Sequence, residues 1–143
     1  MTSPNKILYK TKVSSQGGRA NGHSKSEDGR LEVELSTPKE MGGDGGQGTN
    51  PEQLFGAGYS ACFLGAVKAV AGKEKIKLSE ESSVTAEIGF GPLDHGYAIT
   101  ASLEVDLPDL DTDVAQDLID KAHQVCPYSN ATRNNVDVKI SLK

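Results

Sequence analysis

The sequence predicts an α+β domain, mainly antiparallel sheet wrapped around a long buried central helix, on three observations. Residues 6–14, 30–36, 82–90, 97–107 and 136–142 alternate apolar and polar side chains with the period of a half-buried strand. Residues 51–71 are almost wholly apolar or small, with Lys68 the one charged side chain between Gln53 and Gly72, the composition of a helix buried on nearly every side. The element order ββ, α, ββ, α, β, without repeats or linkers, suits sheet packed on helix.

The elements follow in chain order. In residues 6–14 (KILYKTKVS) and 30–36 (RLEVELS) the alternation is nearly strict, and the glycine-rich stretch GGRANGHSKSEDG between them reads as a long connection able to serve a site. The stretch TPKEMGGDGGQGTN is loop by its glycines and polar residues. Asn50-Pro51-Glu52-Gln53 spells a helix start: an N-cap, proline at the first helical position, an acid in the first turn and glutamine at the capping-box position. Gly72 ends that helix. GPLDHG joins the strands of a hairpin. Asp111 or Thr112 caps a second helix with an apolar stripe of Val114, Leu118, Ile119, Ala122 and Val125, stopped by Pro127.

Composition bounds the function. A chain of 143 residues with 36% hydrophobic content is the size of one domain, 1–143. Fifteen basic against 20 acidic residues give a net charge of −5, and no basic cluster offsets it, which disfavours nucleic acid and anionic membrane surfaces as partners. MTSPNKILYK has no apolar core of a secretory signal, so a cytoplasmic location is expected. In that compartment two cysteines are poor candidates for a permanent disulfide.

The chemistry-bearing candidates are few. Cys62 stands about ten residues into the long helix, beyond the reach of the helix dipole. It is therefore either inert packing or a thiol activated by a cation from elsewhere, because only the thiolate is nucleophilic. Cys126 ends the second helix, where the dipole disfavours a thiolate; it is a helix-end packing residue or a second, resolving thiol. His123 and Cys126 form an H-x-x-C without the second ligand pair usual in zinc sites, so no metal is expected. GGDGGQG lacks the Gly-Lys-Ser/Thr ending of a phosphate loop, and Glu52 would repel an anion there.

Four segments, GGR (17–19), DGRLEVELSTPKEMGG (28–43), TNPEQLFGAGYSACF (49–63) and VCPYSNATRNN (125–135), resemble the organic hydroperoxide resistance (Ohr) branch of the Ohr/OsmC superfamily, in order and spacing. The similarity runs from about Tyr9 to the C-terminus. It implies an intertwined homodimer and a thiol peroxidase that reduces organic hydroperoxides, including lipid-derived ones, to alcohols. By the same resemblance Cys62 is the peroxidatic cysteine and Cys126 its resolving partner. Arg19 and Glu52 match the charged pair that activates the thiolate. The resemblance further implies no bound cofactor, and a lipoyl dithiol on a carrier protein, or dihydrolipoamide, as the external reductant.

The residues add to this. Arginine is permanently charged and can hold a thiolate and a carboxylate at once, whereas a carboxylate alone would raise the thiol pKa; Glu52 therefore helps by fixing Arg19. Ten residues on one helix separate Glu52 from Cys62 by roughly 15 Å, so a site that draws groups from both subunits of antiparallel helices is expected. Met41, Leu54, Phe55, Tyr59, Phe63 and Tyr128 could wall an apolar pocket suited to bulky hydroperoxides, or pack the core. Two other readings remain: an OsmC-type peroxidase of broader peroxide range, and a non-catalytic dimer that binds an apolar ligand.

Overall fold

The computed structural model describes residues Met1–Lys143, which divide into two compact units, Met1–Leu54 and Phe55–Lys143. In the first unit, strands β1 (Val13–Gln16), β2 (Gly22–Ser26) and β3 (Glu32–Leu35) form an antiparallel sheet in that order. Strand β2 lies inside the stretch expected to be a connection. Its GHSKS sequence carries no apolar alternation: the residues it buries are Gly22, Ser24 and Ser26, while His23 and Lys25 face Glu32 and Glu34 across the ladder. Of the expected strand at 6–14 only Val13 and Ser14 pair, and β1 runs on to Gln16, because β2 offers partners only from Ser26 to His23, opposite Val13 to Gln16. Ile7, Leu8 and Tyr9, whose alternation suggested pairing, are exposed. Beyond β3, a turn at Lys39–Met41 leads through the glycine loop, and Thr49 returns to bond the backbone of Glu34 and Ser36.

Helix α1 (Pro51–Lys73) begins where the cap chemistry predicts. The Gln53 amide donates to Asn50 Oδ1 at 2.8 Å. The Gln53 side chain does not close a capping box; its Oε1 accepts the Thr49 hydroxyl at 2.6 Å. Expected burial on nearly all sides is corrected: within this chain Tyr59, Phe63, Ala66, Val67, Val70 and Ala71 are buried, while Ala57, Ala61, Gly65, Lys68, Ala69 and Gly72 are exposed. Length and composition alone would let α1 cross a bilayer, yet one of its faces supplies the core of the second unit.

In the second unit, β4 (Ser83–Leu93) and β5 (Gly96–Asp106) form a long hairpin registered from Ser83↔Asp106 to Leu93↔Gly96. The chain reverses over Asp94-His95, and Gly96 takes φ +125°, which only glycine adopts without strain. Helix α2 (Thr112–Val125) follows, buries Ala115, Leu118, Ile119 and Ala122, and leaves Val114 and Val125 of the expected stripe exposed. Pro127 stops α2 as expected and at once opens a short helix absent from the sequence reading, α3 (Pro127–Thr132). Strand β6 (Val138–Leu142) then pairs with β5 in parallel, Ala101↔Val138, so the crossover contains both helices. The core joins α1, β5 and α2 through Phe63, Val67, Leu103, Val105, Leu118 and Ile119.

Candidate functional site

Cys62 and Cys126 are the two thiols of the second unit, and both are free. The Cys126 Sγ lies 3.8 Å from the Cys62 Sγ, within hydrogen-bonding range for sulfur. Their surroundings differ: Cys62 is half-buried on α1, whereas Cys126 is fully buried between α2 and α3. Proline at 127 explains the placement of Cys126. The residue before a proline is pushed out of the helical region, and Cys126 adopts φ −62°, ψ 121°. Its amide still closes α2 onto the Ala122 carbonyl at 2.8 Å, and its own carbonyl accepts the Asn130 amide at 3.0 Å to open α3. Cys126 thus serves as the last cap of one helix and the first cap of the next. Arg133 braces the joint by donating to the His123 carbonyl and to Asn130 Oδ1, the latter at 2.7 Å.

Burial pushes the Cys62 thiol above its ordinary pKa, and the neighbouring Cys126 pushes it further. The Tyr128 backbone N–H works in the opposite direction by donating to the sulfur. The net direction favours the protonated thiol, so reactivity near neutral pH requires added positive charge.

The first unit contains a group of suitable charge. Arg19 and Glu52 form a bidentate pair, Nη1 to Oε2 and Nη2 to Oε1, both at 2.8 Å. Arg19 rides on the β1–β2 turn, built from Gly17 at φ +78°, Gly18 at φ +75° and Asn21 at φ +51°. The turn is tight: a Cβ at Gly22 would lie 1.9 Å from the Gly18 carbonyl oxygen. Glu52 stands in the first turn of α1. Hydrogen bonding to Arg19 holds the Glu52 carboxyl below its usual range and raises the guanidinium in turn.

The expected pocket residues separate into groups. Tyr59 and Phe63 are fully buried and belong to the core, because their side chains point from the inner face of α1. Phe55 and Tyr128 are more accessible and pack with Tyr59 as an aromatic cluster, ring centroids 5.7 to 6.0 Å apart. Met41 and Leu54 are half-buried in the first unit. Sequence reasoning missed Ser129 and Thr132, both buried, whose hydroxyls lie 2.9 and 3.4 Å from the Tyr59 hydroxyl. Proline after Cys126 is the local signal that could have revealed the helix that carries them.

The family model described as OsmC-like protein matches residues 42–141. The chain belongs to the OsmC-like family, in the Ohr/OsmC superfamily. Among its OsmC-like relatives, an organic hydroperoxide resistance protein of Xanthomonas axonopodis pv. citri (strain 306) is 52% identical over 142 residues, covering 99% of each chain. The organic hydroperoxide resistance protein OhrB of Bacillus subtilis (strain 168) is 46% identical over 136 residues, covering 95% of this chain and 98% of its own. A crystal structure of an organic hydroperoxide resistance protein from Elizabethkingia anophelis superposes with a TM-score of 0.91 at 47% identity, covering 96% of this chain and 98% of that one.

Proposed function

We propose that this protein is a thiol peroxidase that protects against organic hydroperoxides by reducing them to alcohols. The observation that carries the reading is the 3.8 Å approach of the Cys62 and Cys126 sulfurs, and the names of the hydroperoxide resistance relatives support it. The Cys62 thiolate attacks one oxygen of the hydroperoxide as the O–O bond breaks. The alkoxide leaves and takes up a proton to give the alcohol, and Cys62 becomes a sulfenic acid. Cys126 then attacks the oxidised sulfur, forming a disulfide and releasing water. A lipoyl dithiol, free or on a carrier protein, restores both thiols and itself becomes the cyclic disulfide.

Arg19 supplies the positive charge that the thiolate needs, and Glu52 holds the guanidinium in a fixed orientation. The working form is a cytoplasmic homodimer whose α1 helices run antiparallel, with Arg19 and Glu52 serving Cys62 of the same or the partner chain. The small exposed residues of α1, Ala57, Ala61 and Gly65, suit a close helix approach. Phe55 and Tyr128 provide the apolar lining, which favours greasy hydroperoxides over hydrogen peroxide.

The test is consumption of cumene hydroperoxide with dihydrolipoamide as reductant, on the wild type and on Cys62→Ser, alongside intact-mass measurement after stoichiometric peroxide. The expected result is turnover by the wild type only, with loss of two hydrogens from the chain. Turnover retained in Cys62→Ser, or a wild-type mass unchanged by peroxide, excludes the mechanism.

A further inference from the structure

Helices α1 and α3 meet through two matched rungs. Tyr59 and Cys62 are three residues apart on α1, and Cys126 and Ser129 are three apart across the start of α3, so each pair occupies one face, a turn apart. The upper rung is the thiol pair, Cys62 to Cys126 at 3.8 Å. The lower rung is the Tyr59 hydroxyl on the Ser129 hydroxyl at 2.9 Å, extended to the Thr132 hydroxyl at 3.4 Å. Tyr59 and Ser129 are fully buried and Thr132 nearly so, and the Thr132 hydroxyl donates to the Tyr128 carbonyl at 2.8 Å. Each hydroxyl of this network therefore has a partner inside the protein, the condition under which a buried polar network fixes a single arrangement. The Tyr128 ring seats on α1 where Gly58 leaves room: a Cβ there would lie 2.7 Å from the Tyr128 hydroxyl.

We propose that the Tyr59–Ser129 rung is a positioning latch that holds α3, and with it Cys126, in register with Cys62 for disulfide closure. The proposal rests on the thiol chemistry proposed above and adds residues that act on its second step. Closure must bring sulfurs now 3.8 Å apart to a bond of about 2.05 Å, so α3 has to be near and yield slightly. A six-residue helix has few contacts of its own to fix its placement. Without the latch, α3 samples positions in which Cys126 lies farther away, and the effective concentration of the resolving thiol falls.

The test uses diamide, a diazene that accepts two electrons and two protons from a dithiol to give a hydrazine and a disulfide, so closure is read without peroxide. Closure is measured for the wild type, Tyr59→Phe, Ser129→Ala and the double variant, each against the rate of Cys62 alkylation by iodoacetamide in the same protein. The expected result is a closure-to-alkylation ratio about five- to tenfold lower in each single variant, and no further loss in the double variant. Wild-type ratios in both single variants, or losses that multiply in the double variant, overturn the latch. Cumene hydroperoxide separates the two claims. A wild type that closes with diamide but not with the peroxide overturns the peroxidase and leaves the latch standing. A wild type that closes with both, beside single variants whose ratio is unchanged, overturns the latch alone.

Discussion

The charged pair of the first unit and the thiol pair of the second are made by different physical means. Arg19 is 42% exposed on a turn of glycines, and its position depends on backbone angles that few residues tolerate and on two charge-assisted hydrogen bonds. Cys62 and Cys126 are placed by packing: one sits mid-helix against the core, the other is fixed by the proline that follows it and by buried hydroxyls one turn away. The ion pair is therefore sensitive to salt, acid and loop geometry, and the thiol pair to volume and helix register. A reaction that needs both can lose activity through either, and the two kinds of loss are separable.

The largest effect should come from removing the charge. Arg19→Ala is expected to lower kcat/KM for an organic hydroperoxide about 100-fold. It should also move the pH midpoint of Cys62 alkylation upward, toward the range set by burial and by Cys126, while diamide closure persists. An unmoved midpoint would show that Cys62 draws its charge from another source. Next is the turn itself: Gly22→Ala places a Cβ on the Gly18 carbonyl, so thermal unfolding should register a loss of about 1–3 kcal/mol. Hydroperoxide turnover should fall with it, again with diamide closure retained; a loss of closure would mean that the two constructions are not independent.

The smallest effect concerns acid. The folded Glu52 carboxyl sits below its usual range, so its stabilising contribution is complete above the unfolded value near 4.3 and disappears as pH falls through the lower folded value. Denaturant midpoints of the wild type and Glu52→Gln should therefore differ above about pH 4.5 and converge below it. Since Arg19 is 42% exposed, solvent screening keeps the gap under about 1 kcal/mol. A gap that widens on acidification would contradict the pairing.

What was legible in the sequence is what local chemistry writes locally. The start of α1 is spelled by Asn50 and Pro51, and the β4–β5 hairpin by alternation around a glycine-bearing turn. Strand β2 was illegible because serines rather than aliphatic residues face inward, so no hydrophobic period marks it. Helix α3 was hidden by the double meaning of Pro127, which ends one helix and begins another. The one-sided burial of α1 could not be read because small residues look alike whether they are covered or exposed. Neither the Arg19–Glu52 pair, 33 residues apart, nor the Cys62–Cys126 approach, 64 apart, follows from spacing; both were expected only from the resemblance. The Tyr59–Ser129 contact was not foreseen, since a tyrosine in an apolar helix reads as pocket wall or core and nothing local names a partner for its hydroxyl.

The distance along the chain between the two cysteines has a thermodynamic side. A covalent link between positions 64 residues apart would shrink the ensemble of unfolded conformations, which in the chain-entropy view is worth about 4 kcal/mol to the native state. A molecule that has just consumed an oxidant would then resist unfolding better than one at rest, and would surrender that margin only when its reductant arrives.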